Sequence, residues 1–376
     1  MQNYPHFSPV EMGRRRQAIE DLMAEHELDA VLAYGANRSG SAVQWISEWP
    51  VSREAALIVR RGRADQLFVQ FYNHVPTARV LARQAEVAWG GPSTTRTVIE
   101  SLAGDRRIGL VGPIGYKAHA ELSAAVDTVT DLDAAYARLR MIKSAEEVEW
   151  LRAGAKLSDR AVEALRQQVA PGMTERHLGA IVESTYLSEG GTNHIHYFGV
   201  TSMAAPDRCV PAQYPSTRPV AVGDVLTTEI SASWWGYPGQ ILRSMTIGVG
   251  PTDLYAKLHE VADTAFDEVV AVMKDGTTAA QVVQAAGVIE EAGFSIYDDL
   301  VHGFGGGYFQ PIVGSASRMN GPLTDVTFET GMTVVIQPNV ITRDELAGVQ
   351  TGQLVLITPT GVEQLHQAPR GMWQAG

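Results

Sequence analysis

The sequence contains a single cysteine, Cys209, among its 376 residues. One cysteine cannot form an intrachain disulfide, and it excludes a zinc site built from several thiolates. Basic residues are also few: 30 Lys and Arg stand against 42 Asp and Glu, which gives a net charge of −12. That charge repels phosphate, so we expect neither nucleic acid nor an anionic membrane as a partner.

Long apolar runs are absent as well. No stretch approaches the roughly 20 residues that span a bilayer, and the N-terminal MQNYPHFSPVEMGRRR lacks the apolar core of a signal peptide. We therefore expect a cytoplasmic protein. The balance of 45% hydrophobic and 19% charged residues is typical of a globular protein. The length exceeds that of one ordinary domain and predicts two.

The pattern of the chain changes near residue 139. Before it, short buried strands such as LDAVLAY (28–34) and RIGLVG (107–112) alternate with helical segments, which predicts a small α/β domain over residues 1–138. After it, Ser144 and Glu147 have the spacing of a capping box at the start of a long helix. Further helices and then mainly strands follow, so residues 139–376 are predicted to form a second domain.

Four segments in the right order resemble one family. LRMIKSAEEVEWLRAG, GDVLTTEISASWWGYPGQILRSMTIG, LVHGFGGGYFQP and GMTVVIQPNV are similar to segments of the creatinase/prolidase/aminopeptidase P enzymes, known for their pita-bread fold. The resemblance implies a creatinase-type N-terminal α/β domain over 1–138 and an α+β pita-bread domain over 139–376. It also implies a homodimer in which the N-terminal domain contributes to the partner's active site.

The metal-dependent members of that family hold two divalent ions with two aspartates, a histidine and two glutamates. Carried over by resemblance, these positions fall on Glu229, Gln240, His302, Gln337 and a position at or beside Gly352. Only one of the four carboxylate positions keeps a carboxylate. Two close divalent ions need several anionic oxygens, so we expect no metal ligands and no cofactor here.

Creatinase is a family precedent for catalysis without metal, with a histidine as acid and base. That histidine position falls on Ala212, and the second histidine and adjoining glutamate of prolidases fall on Phe309 and Gln310. The resulting expectation is a metal-independent, creatinase-like hydrolase, lyase or ring-opening enzyme that acts on a C–N bond of a small polar molecule. Two alternatives stay open: a non-catalytic binding protein with this fold, and an Xaa-Pro peptidase with atypical metal ligands.

His302 and Glu229 are the predicted catalytic residues. The pKa of histidine suits proton exchange at neutral pH, and burial in an apolar strand would raise the pKa of the glutamate into a useful range. Gln240 and Gln337 are predicted to orient a neutral group of the substrate. Arg243 is predicted either to bind an acidic substrate group or to pair with Glu229. Tyr308 is predicted either to contact the substrate or to serve packing.

His194 and His196 are two residues apart in NHIHYF, which predicts that both face one side of a strand. Either one is a candidate to replace the histidine lost at Ala212. The alternatives are part of a metal site or a histidine bonded to backbone carbonyls.

The segment 33–55 is rich in aromatic and polar residues for a connection between strands. The resemblance makes Arg38, Trp45, Trp49 and Arg53 candidate substrate contacts in the partner's site, where an arginine would favour a carboxylate. The alternative is a surface loop with its own aromatic cluster.

Overall fold

The computed structural model describes residues 4–36, 41–319, 321 and 327–376. The chain divides into two compact units, Met1–Arg140 and Met141–Gly376. Within the described ranges, no helix is both long enough and apolar enough to cross a membrane. The two-unit division and the predicted element types, an α/β unit followed by an α+β unit, are seen in the structure.

The first unit is built on a six-stranded mixed sheet with the order β4-β3-β2-β1-β5-β6. Strands β1, β2 and β3 are antiparallel neighbours, whereas β4 is parallel to β3 and β5 is parallel to both β1 and β6. Its strands are β1 (Ala30–Ala36), β2 (Glu54–Val59), β3 (Asp65–Val69), β4 (Ala85–Trp89), β5 (Arg107–Val111) and β6 (Thr128–Asp131). Its helices are α1 (Pro9–Glu25), α2 (Ser41–Ser47), α3 (Val75–Leu81), α4 (Thr94–Ser101), α5 (Tyr116–Ala125) and α6 (Asp133–Met141).

The second unit contains a nine-stranded sheet whose main path runs β12-β11-β13-β15-β9-β8-β7. Strand β16 pairs with β15, β17 pairs with β9, and β10 and β14 form a small sheet of their own. The strands are β7 (Thr192–Ser202), β8 (Asp224–Trp234), β9 (Tyr237–Ile247), β10 (Ser295–Ile296), β11 (Val301–Phe304), β12 (Tyr308–Val313), β13 (Thr333–Ile336), β14 (Val340–Ile341), β15 (Gly352–Ile357), β16 (Val362–Gln364) and β17 (Trp373–Ala375). The helices are α7 (Ala145–Gln168), α8 (Glu175–Tyr186), α9 (Asp253–Val272), α10 (Ala279–Ala285) and α11 (Val288–Glu291).

Helix α7 starts at the capping box that the sequence predicts. The Ser144 hydroxyl accepts a hydrogen bond from the Glu147 backbone, and the Glu147 carboxylate accepts one from the Ser144 backbone. Further along, the helix backbone lies directly against β9. A Cβ atom on Gly154 would lie 2.3 Å from the Tyr237 carbonyl oxygen, and one on Gly239 would lie 2.3 Å from the Ala155 backbone nitrogen. Both positions therefore require glycine for the helix to pack this closely.

One face of the large sheet is buried under the helices. Phe198, Leu226 and Ile241 pack with α7 and α8, while Val301 and Val334 pack with α9 to α11. Because successive side chains of a strand point to opposite faces, the residues that alternate with these point to the other face. Four of the polar residues predicted from the sequence, Glu229, Gln240, His302 and Gln337, lie on that other face.

Candidate functional site

The five positions that correspond to metal ligands in the family meet on this second face. Pairing across three strands sets Glu229 opposite Leu242 and Leu242 opposite Gly352. The Gln240 amide nitrogen donates hydrogen bonds to Glu229 Oε1 at 2.8 Å and to Gln337 Oε1 at 3.2 Å. The first, second and fourth of these positions are therefore joined through amide groups.

His302 on β11 completes the group. It is almost fully buried, its ring stacks on the Tyr308 ring with centroids 4.3 Å apart, and Gln337 is a side-chain hydrogen-bond partner. Burial lowers the pKa of His302 to about 4, although the Gly303 carbonyl, Asp298 and Gln337 act in the opposite direction. The imidazole is therefore neutral at pH 7 and has a nitrogen that can accept a proton.

Glu229 has the opposite perturbation. Burial raises its pKa to about 8, and the negative charges of Asp298 and Asp299 add to the effect. Near neutral pH this carboxyl group is largely protonated. The raised pKa of Glu229 agrees with the expectation that burial in its strand would have this effect.

Asp298 and Asp299 are site residues that the sequence analysis missed. Burial raises the pKa of Asp298 to about 6. The hydrogen bond with Asp299 and the negative charge of Asp299 contribute to this rise. The Tyr308 hydroxyl donates to the Asp299 carboxylate, and the Gln337 amide donates to the Asp299 carbonyl at 3.2 Å. The available signal was a pair of acids three and four residues before His302, just ahead of a buried strand.

Two polar atoms in the site lack hydrogen-bond partners in the described part of the chain. They are Gln240 Oε1 and Ser231 Oγ, which are buried on neighbouring strands where Ser231 pairs with Gln240. An unpaired buried acceptor costs about 1–3 kcal/mol, so both atoms mark places where a bound molecule would gain a hydrogen bond.

The sequence-based role for Arg243 is wrong. Its side chain points to the opposite face of β9, where it is fully buried and donates hydrogen bonds to the carbonyls of Gly352, Ala368 and Pro369. It therefore anchors the C-terminal segment, and it contacts neither a substrate position nor Glu229.

The prediction that His194 and His196 face the same side of the strand is also wrong. A β-bulge between Asn193 and Ile195 shifts the register of β7 and turns the two side chains to different sides. The His194 ring meets the Phe304 ring at 5.7 Å, next to His302. His196 is buried on the helix side, where its Nε2 lies 3.0 Å from the Tyr186 hydroxyl. Only His194 reaches the site face.

The aromatic candidates of the first unit belong to its core. Trp45 is buried, packs edge-on against Tyr136 with centroids 5.6 Å apart and lies against the Arg15 guanidinium. Trp49 is buried as well, so the expectation that these rings contact substrate is corrected. Arg53 is exposed, and Arg38 lies outside the described residues.

The residues at the five ligand positions do not fit the two-metal centre of the family. Gln240 and Gln337 offer neutral oxygens, and Gly352 offers none: a Cβ there would lie 2.4 Å from the Ile336 carbonyl oxygen and 2.8 Å from Gln337 Cα. Nowhere in the described ranges do three or more His, Cys, Asp or Glu side chains form a group that could hold a metal ion. A pair of divalent ions would keep most of its charge uncompensated.

Comparison with known proteins gives the same family for both units. Residues 149–359 match the metallopeptidase family M24, and residues 15–142 match the creatinase/prolidase N-terminal domain. An Xaa-Pro dipeptidase from Pyrococcus furiosus is 25% identical over 276 residues, which is 73% of this chain and 77% of that protein.

Solved structures show the same fold. The prolidase from Pyrococcus horikoshii OT3 superposes with a TM-score of 0.81 at 21% identity and covers 96% of this chain and 99% of its own. The X-Pro aminopeptidase from Thermotoga maritima gives 0.81 at 20% identity, with coverage of 96% and 99%.

The comparisons overturn the main functional expectation. A metal-independent, creatinase-like enzyme for a small polar molecule is contradicted, because the similar proteins are named Xaa-Pro dipeptidases and prolidases. They favour the alternative of an Xaa-Pro peptidase with atypical residues at the ligand positions.

Proposed function

Since this chain belongs to the metallopeptidase family M24, we propose that it is a hydrolase of short peptides with the substrate class of Xaa-Pro dipeptidases. One observation carries the proposal: Glu229, Gln240, His302, Gln337 and Gly352 converge on one sheet face in a chain that matches such enzymes along nearly its full length. The reaction adds water to the carbonyl carbon and breaks its bond to the proline nitrogen.

The charges of the site suit the free α-ammonium group of a dipeptide. The charges of Asp298 and Asp299 raise the pKa of Glu229, and Asp299 raises the pKa of Asp298, so the three groups lie close together. In a buried site the attraction between a carboxylate and an ammonium group is much stronger than in water. We assign Asp298 and Asp299, which lie beside the protonated Glu229, to binding the substrate ammonium.

Two proton transfers remain, and each has a candidate. His302, whose imidazole burial keeps unprotonated at neutral pH, accepts a proton from the attacking water as the oxygen–carbon bond forms. Protonated Glu229 donates its proton to the departing proline nitrogen as the carbon–nitrogen bond breaks. Gln240 and Gln337 position the two groups through their amide hydrogen bonds.

The test is hydrolysis of Ala-Pro, with Ala-Ala for comparison, measured by chromatography as free proline from the first and free alanine from the second. Each assay is run with the protein as purified, after chelation, and with added manganese or cobalt. The three conditions together test for proline release both with and without divalent ions. We expect His302→Ala and Glu229→Gln to lower kcat at least 100-fold, the lower end of what positioned acid–base groups contribute. His119→Ala, an exposed histidine on α5, is the matched control.

Absence of proline release under all three conditions, with the protein folded, would overturn the proposal. If Ala-Pro then still bound, the non-catalytic alternative would be the better description. An unimpaired His302 variant would remove that residue from the chemistry.

The homodimer stays a prediction, and sedimentation equilibrium of the purified chain tests it. A monomer at assay concentrations would also exclude any contribution of a partner subunit to the site.

A further inference from the structure

The first unit contains an open cavity of about 450 Å³ that is separate from the residues discussed above. It lies where the parallel strands β3 and β4 end and helix α4 begins. Crevices at the carboxyl ends of parallel strands are common ligand sites, and this volume is in the range of small-molecule pockets. Its lining consists of Glu54, Gln70, Phe71, Tyr72, Trp89, Gly91, Pro92, Ser93, Thr94 and Thr95.

Three aromatic side chains in this cavity are unusually exposed. Trp89 is 44% exposed, Phe71 41% and Tyr72 74%. The rings are nevertheless placed: Tyr72 meets Trp89 edge to face with centroids 6.0 Å apart, and the Trp89 indole donates a hydrogen bond to the Gln70 carbonyl at 3.0 Å. Large rings held in this way around a cavity offer π faces to a ligand.

The charge of the cavity has one sign. Glu54 is the only ionisable acid or base among the lining residues apart from the Tyr72 phenol, so the wall contains no Lys, Arg or His. Its carboxylate is held by the Tyr34 hydroxyl: burial raises the pKa of Tyr34 to about 12, and the charge and hydrogen bond of Glu54 add to this. The carboxylate is thus fixed and half-buried.

We propose that this cavity binds a small organic cation of the quaternary ammonium class. Such a cation is weakly hydrated, is attracted to the faces of Trp and Tyr, and gains a further Coulomb attraction from Glu54. An anion would meet the carboxylate, and a neutral apolar ligand would leave it without a counter-charge. The site is independent of the proposed peptidase activity.

The experiment uses choline as the probe and 3,3-dimethylbutan-1-ol as its neutral isostere, each titrated calorimetrically into the full chain. We expect choline to bind about two- to fivefold more tightly, the ratio that an exposed cation–π contact gives. Trp89→Leu and Glu54→Gln should each weaken choline binding by a similar factor. Tyr116→Leu, which replaces an exposed tyrosine of the same unit, should leave it unchanged.

Equal affinity for the two probes would reduce the cavity to an apolar crevice and overturn the proposal, as would the absence of choline binding. Wild-type affinity in both Trp89→Leu and Glu54→Gln would place any binding elsewhere and would also overturn it. Thermal melts of the variants establish that they are folded.

Discussion

Replacing Glu229 by glutamine should change how the stability of the protein depends on pH. In the folded protein burial raises the pKa of Glu229 from 4.5 to about 8. A carboxyl group with a raised pKa contributes stability fully below pH 4.5, and this contribution is lost as the pH rises towards 8. The complete loss corresponds to about 5 kcal/mol of unfolding free energy at about 1.4 kcal/mol per pH unit.

Between pH 6.5 and 8, the loss of stability caused by ionisation of Glu229 is separated from the contributions of His302 and Asp298. His302, with a pKa lowered from 6.5 to about 4, contributes stability that is lost only as the pH falls below 6.5. Asp298, with a pKa raised from 3.8 to about 6, loses its contribution before pH 6.5 is reached. Between pH 6.5 and 8 the wild type should therefore lose about 2 kcal/mol because of Glu229.

Urea denaturation at several pH values measures this loss. Glu229→Gln keeps an oxygen that can accept the hydrogen bond from Gln240, but it cannot ionise, so its unfolding free energy should stay level across this pH range. Glu268→Gln, an exposed glutamate on α9, should retain the wild-type slope. Parallel curves for the wild type and Glu229→Gln would show that the Glu229 pKa is ordinary and would remove it as a proton donor.

Other substitutions test the packing around the site. Gly154→Ala places a Cβ 2.3 Å from the Tyr237 carbonyl oxygen and should lower the unfolding free energy by about 3 kcal/mol, measured by urea titration; an unchanged midpoint would mean that α7 packs more loosely than described. Arg243→Leu removes the donors to the Ala368 and Pro369 carbonyls and should cost at least about 2 kcal/mol. Limited proteolysis should then release the C-terminal segment first, and uniform digestion would contradict this role.

Much of the site follows from strand periodicity and from family spacing. The hairpin of β8 and β9 turns at Trp235 and Gly236, and that turn fixes Glu229 opposite Leu242. Residues of even number on β9, such as Gln240, then share the face of Glu229. The same register places Arg243 on the other face. The hairpin alone therefore predicts that Arg243 cannot contact Glu229.

Other features could not be derived from the sequence pattern. The bulge in β7 adds a residue to one strand and cancels the expectation that His194 and His196 share a side. Trp45 and Trp49 lie in a segment of mixed polarity. Only the packing of Trp45 with Arg15 and Tyr136 and the burial of Trp49 reveal that both rings belong to the core. Such tertiary contacts override local composition.

The acidic charge of the site is relocated along the chain relative to the family pattern. Gln240 and Gln337 carry no charge, but Asp298 and Asp299 place two carboxyl groups on the other side of the network, where the described contacts include no lysine or arginine. Because Glu229 is protonated near neutral pH, it adds no negative charge to that of the two aspartates. An ammonium group bound beside these carboxyls would lower the pKa of Glu229, since an opposite charge favours the ionised form.

That coupling has a kinetic consequence, which tests the assignment of Glu229 as the proton donor. The plot of kcat/KM against pH reports the free enzyme and should fall above about pH 8, where Glu229 loses its proton. The plot of kcat reports the substrate complex, so its upper limb should lie at a lower pH than that of kcat/KM. Coincident upper limbs would mean that the substrate ammonium lies away from Glu229, and a limb that persists in Glu229→Gln would assign the proton to another group.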